Sequence, residues 1–112
     1  LAAKAYLDIN CAHCHQDGGL GGVSGLRLEF FRDASTLQHG ICKQPPGYDG
    51  GQNHLAFDIV PGNAEQSILV HRMAVTTPKD VMPVLGRHIT HLEGVDLISR
   101  WINAMPPADC GQ

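Results

Sequence analysis

The chain has 112 residues, a length suited to one domain spanning 1–112 with a modest core. A formal net charge of −3 and the lack of a basic patch exclude nucleic acid as a partner, and no apolar run approaches the ~18 residues a membrane span needs. Aromatic residues make up only 5% of the chain, so large apolar side chains are scarce, and a buried planar cofactor would supply the missing bulk. The chain opens on Leu1 rather than Met, as a processed or excised piece does.

Ala-rich composition predicts a helix over residues 1 to about 14, with Tyr6 and Leu7 toward the core. Its end carries Cys11-Ala12-His13-Cys14-His15, a C-x-x-C-H string that reads as attachment of one haem c. Two thiols three positions apart on one helical turn reach both vinyl groups of a porphyrin as thioethers. His15 then falls beneath the ring plane as the proximal iron ligand. A redox dithiol would need a strand ahead of the pair, and helical composition stands there instead. A zinc site would need a second tight pair; Cys42 and Cys110 stand apart, and only His88 and His91 offer one.

After His15, Gly18, Gly19, Gly21 and Gly22 predict a flexible loop able to approach a haem edge closely. Residues 25–31 alternate weakly, which fits either a short extended segment or an irregular loop packing Leu26 and Leu28 inward. A short helix is expected over 33–41, with Asp33 as N-cap and Leu37 inward. Residues 43–54 are Pro/Gly-rich and read as an irregular loop anchored by Cys42. Asn63, with Gln66 three residues on, signals a middle helix carrying Ile68, Leu69, Arg72 and Met73 and ending at Thr77-Pro78. A second loop covers 79–89. Thr90 to Glu93 is another capping box, opening a last helix with an apolar stripe of Val95, Ile98, Trp101, Ile102 and Met105 that stops at Pro106-Pro107.

Two of the four cysteines are consumed by the haem, which leaves Cys42 and Cys110. C-type attachment implies export to an oxidising compartment, where disulfides persist, so a Cys42–Cys110 bridge is expected. Iron also needs a sixth ligand or an open site. Met82 is the best candidate, in a loop between helices and stiffened by Pro83. Met73, mid-helix on an apolar face, reads as core. His39, His54, His71, His88 and His91 offer a bis-His alternative. Arg72, Arg87, Tyr48 and Trp101 are candidates for hydrogen bonds to haem propionates, Arg87 first because it sits beside the methionine loop.

These residues together resemble a class I cytochrome c domain. The resemblance rests on Cys11 to His15 near the N-terminus, Met82-Pro83 late in the chain and a capped last helix with Trp101-Ile102. More narrowly, the run from Pro61 through Leu69, then Met82 to Arg87, is similar to bacterial members bearing PGxxxxSxL and MPxxG strings before a WI-containing helix. The resemblance implies an all-α fold with crossing N- and C-terminal helices, a middle helix and long irregular loops around one haem. It implies His15 and Met82 as metal ligands. One feature departs from the family: many members place a proline soon after the haem motif, whose neighbouring carbonyl holds the proximal histidine. Here no proline occurs between His15 and Pro45, so another carbonyl, expected within Gly18–Gly25, must orient His15.

The function implied is a one-haem electron carrier in the periplasm, or otherwise exported, working with redox partner proteins, and not an enzyme. Two alternatives stand beside it. In one the chain is the haem domain of a larger oxidoreductase; in the other Met82 is not a stable ligand and the iron is open to peroxide or a gas.

Overall fold

The first helix, α1, covers Ala2–Asn10, where alanines with no side-chain entropy to lose dominate. The computed structural model describes residues 2–12, 15–16, 25–46, 48, 50–51, 54–74 and 92–110. Ala3 and Leu7, one turn apart, are the buried face of α1, and Leu7 is fully inaccessible. The helix ends four residues before the expected boundary, passing into a turn at Cys11 and Ala12, whose N–H groups both reach the Leu7 carbonyl.

Two other α-helices follow. Helix α2 spans Ile68–Ala74 and helix α3 spans Leu92–Asn103, joined to the rest by irregular chain with no strand among the described residues. As the capping pattern predicts, the Asn63 side chain accepts from the Gln66 N–H at 3.3 Å. It caps a short 3-10 turn, Ala64–Gln66, and α2 proper begins after Ser67. In α3 the expected stripe faces inward: Ile98 and Ile102 are fully buried, with Val95, Trp101 and Met105 packed against the same core. Met73 lies in that core too. The Thr90–His91 half of the last capping box and the Thr77-Pro78 stop lie outside the described residues.

Between Gly25 and Val60 the chain is held by scattered main-chain bonds rather than a sheet. Arg27 N–H donates to Gln38 O at 2.7 Å, Cys42 N–H to Ile59 O at 2.9 Å, and Ile59 N–H to Gly40 O at 2.9 Å. The alternation at 25–31 is therefore an irregular segment with Leu26 and Leu28 buried, while Phe30 and Phe31 face outward. The short helix expected over 33–41 is only a 3-10 turn, Leu37–His39. Asp33 does not cap it; its carboxylate accepts from the Ser35 N–H and hydroxyl, closing a local turn of its own. Leu37, expected inward, is 60% exposed, and His39 is the fully buried residue. A three-residue turn is too short to repeat, so its inward side cannot be read from a helical period.

Cys42 and Cys110 lie at disulfide distance, with Cα atoms 5.2 Å apart. The tail after α3 reaches Cys42 by folding back over the 60–64 turn. There Gly62 N–H donates to Ile102 O at 2.9 Å and Asn103 Oδ1 accepts from Ala64 N–H at 2.9 Å.

Helices α1 and α3 meet at one tight point. A Cβ built on Gly94 would stand 2.2 Å from the Tyr6 hydroxyl oxygen and 2.4 Å from its Cζ. The glycine costs α3 about 1 kcal/mol of helix propensity and in return admits the Tyr6 ring. Gly94→Ala is therefore expected to lose about 2 kcal/mol net from overpacking in chemical denaturation. In a Tyr6→Ala background the same change is expected to stabilise. Equal effects in both backgrounds would refute the contact as the cause.

Candidate functional site

The C-x-x-C-H string begins directly after α1 ends. Just past α1, His15 N–H donates to Cys11 O at 2.9 Å, a bond with the i to i+4 spacing of a helical turn. Cys11 and His15 are thereby placed on the same side, one turn apart. The backbone of His15 is fixed at its other end as well, because Leu28 N–H donates to His15 O at 3.0 Å.

The imidazole is tied to the same segment. A hydrogen bond joins it to the backbone of Leu26, and its effect is to favour the protonated ring, which identifies the ring N–H as donor and the Leu26 carbonyl as acceptor. Leu26 is thereby placed to hold the His15 ring by its carbonyl. Residues 18–24, where the sequence pointed, lie outside the described residues, and the bond to Leu26 is made from the segment that follows them. The bond fixes ring orientation and raises ligand basicity.

Three cations act on this ring. Burial first, then the Arg72 guanidinium, hold the His15 imidazole below its ordinary value, with Arg27 and Lys43 adding to the effect and the Leu26 bond opposing it. The ring is thus kept in the neutral form that binds metals. The Arg72 guanidinium lies over the Tyr48 ring, 4.2 Å from its centroid, so two of the candidate propionate partners stand together. Trp101 does not join them through any described contact; its ring meets His39 edge-on at 6.0 Å.

Lys43, Asp58 and Arg27 are site neighbours that sequence reasoning missed. Lys43 and Asp58 are buried, with Lys43 Nζ 3.9 Å from Asp58 Oδ2. A signal for Asp58 existed: it is a lone charge inside the apolar run Leu55 to Val60. Cys14, Met82 and Arg87 lie outside the described residues, as do His88, His91 and residues 17–24.

The described residues fit a covalently held haem on the chemistry of the donor set. A neutral imidazole that donates one N–H to a carbonyl presents its remaining nitrogen lone pair to a metal. That imidazole stands one helical turn from Cys11. Cys42 and Cys110, being placed against one another, are not arranged as the second half of a zinc site. Among the described residues no group of three His, Cys, Asp or Glu is gathered for a metal held by protein alone. No family model matches the chain, and neither a curated protein nor a solved structure matches it.

Proposed function

We propose that this chain carries one haem c, attached through Cys11 and Cys14, with His15 and Met82 as axial ligands, and that it passes single electrons between redox partners. It is a class I cytochrome c domain on this reading, exported and loaded in an oxidising compartment. The observation that carries the proposal is the His15 imidazole, half-buried, held toward its neutral form and tied to the Leu26 carbonyl one turn beyond Cys11. The bound group would supply a one-electron couple. The residues supply the rest. His15 and Met82 would both hold the iron, which would leave no place on it for a substrate. Leu26 holds the His15 ring in one orientation, so that little moves when charge changes. Arg72, Arg27 and Lys43 set a positive field around the ring, which favours the reduced state of whatever His15 binds. The paired Cys42 and Cys110 fit an oxidising compartment.

The test is the chain produced with haem-attachment machinery. The expected result is a mass equal to apoprotein plus one haem, with colour that acidified solvent does not extract. Replacing Cys11 and Cys14 together by alanine should make the pigment fully extractable. Ferrous protein should bind carbon monoxide slowly or not at all at neutral pH, and Met82→Ala should bind it promptly. Colourless protein of apoprotein mass would defeat the haem reading. Prompt carbon monoxide binding by the unaltered chain would defeat Met82 as a stable ligand and with it the closed electron carrier.

A further inference from the structure

Lys43 and Asp58 form a buried ion pair. Buried ion pairs are often replaceable by apolar residues without loss of stability, and this one, at 3.9 Å, is not a short hydrogen-bonded contact. Its position is informative. Lys43 packs along Gly25: a Cβ on that glycine would meet Lys43 Cε at 3.2 Å and Nζ at 3.5 Å. Gly25 directly precedes Leu26, whose carbonyl holds His15. On the other side, Asp58 is gripped by its backbone, donating to Lys43 O at 2.7 Å and accepting from Leu69 N–H of α2 at 2.9 Å. Lys43 therefore touches both the Asp58 carboxylate and the glycine that precedes Leu26.

The charges converge as well. Among the described residues, the charged groups acting on Asp58 are Lys43 from its loop and Arg72 from α2. Both act on His15, together with Arg27. Asp58 is thus a buried carboxylate that shares its counter-charges with the proposed redox centre. Resting on the function proposed above, we infer that Asp58 is the proton-accepting partner of that centre, so that gaining an electron there is coupled to uptake of a proton by the Asp58 carboxylate. The balance is simple: one electron arrives from a one-electron donor, one proton arrives from solvent water onto a carboxylate oxygen, and the buried region keeps its net charge. Removal of the electron returns the proton to water. Burial raises the Asp58 carboxyl to about 6, against partial opposition from Lys43 and then Arg72, which puts the exchange in a mildly acid range.

The experiment is a spectroelectrochemical titration of the haem-loaded full chain between pH 4.5 and 8. The midpoint potential should fall as pH rises through that mildly acid range. A tenfold difference in Asp58 proton affinity between the two redox states corresponds to a total swing of about 59 mV. Asp58→Asn should flatten the curve. Lys43→Met should keep the swing and move it to higher pH, because the cation that favours the ionised carboxylate is gone. Redox-difference infrared spectra of the unaltered chain should show a protonated carboxyl band gained on reduction and absent from Asp58→Asn. A reversible couple with a pH-independent potential would overturn this inference and leave the electron carrier standing, and so would a swing that survives in Asp58→Asn. The absence of any reversible couple would overturn both.

Discussion

Replacing Cys42 and Cys110 together by serine is expected to lower the unfolding free energy of the full chain by about 4 kcal/mol. The two positions are 68 residues apart, so the bridge closes more than half the chain into one loop and removes a correspondingly large share of the unfolded ensemble. The native tail has other anchors, namely the Gly62–Ile102 backbone bond, the Asn103 side chain on Ala64, and Pro107 seated against Gly62. The serine variant should therefore remain folded, with the loss appearing in the denaturation midpoint. Cys42 is also held at φ 53°, a left-handed conformation that non-glycine residues rarely keep unless their surroundings fix them. Against a typical total of 5–15 kcal/mol, a loss of this size is conspicuous. Reduction of the unaltered chain should reproduce it. A serine variant that is destabilised while the reduced chain is not would assign the loss to the side chains rather than to the cross-link.

The disulfide could be anticipated because cysteines can be counted once a motif claims two of them. The inward stripe of α3 was legible for a different reason: twelve residues give the helical period three turns in which to repeat. Asn63 as a cap was readable from local chemistry alone. The features that failed to show lack any such local code. A backbone carbonyl such as that of Leu26 has no residue signature, so nothing but the path of the chain marks it as the partner of His15. His39 sits in a three-residue turn, too short for periodicity to say which side is inward. Lys43 and Asp58 meet across an irregular loop whose register no pattern sets, although a lone carboxylate in an apolar run was a visible anomaly. The Gly94–Tyr6 fit was half visible, since a glycine within a helix needs a reason. The reason lay in the other helix.

In acid, the stability of the chain should reflect two buried groups working against each other. His39 is fully inaccessible, and among the described residues neither ring nitrogen has a hydrogen-bond partner in another residue. Burial, and then the Lys4 charge, lower it from 6.5 to about 4, with Asp33 opposing. Between those values the unfolded chain binds a proton that the native chain refuses. Stability from this source is therefore lost as pH falls from 6.5 to about 4, by on the order of 3 kcal/mol. Asp58 has the opposite sign. Its folded value of about 6 lies above the ordinary 3.8, so between them the native chain binds the extra proton, and stability is gained as pH falls through that window, again by on the order of 3 kcal/mol. The two slopes nearly cancel in the unaltered chain, leaving the background common to its other carboxylates. His39→Leu removes one slope and should grow more stable relative to the parent on moving from pH 6.5 to 4. Asp58→Asn removes the other and should lose stability over the same interval and unfold first in acid. Denaturant midpoints at several pH values between 4 and 7 make the comparison. The slope is the readout, since either substitution also shifts stability at every pH through packing alone. Three parallel curves would show that neither group changes its proton affinity on folding. That would also remove the support that Asp58's burial gives to its role beside the redox centre, while leaving the shared Lys43 and Arg72 charges in place.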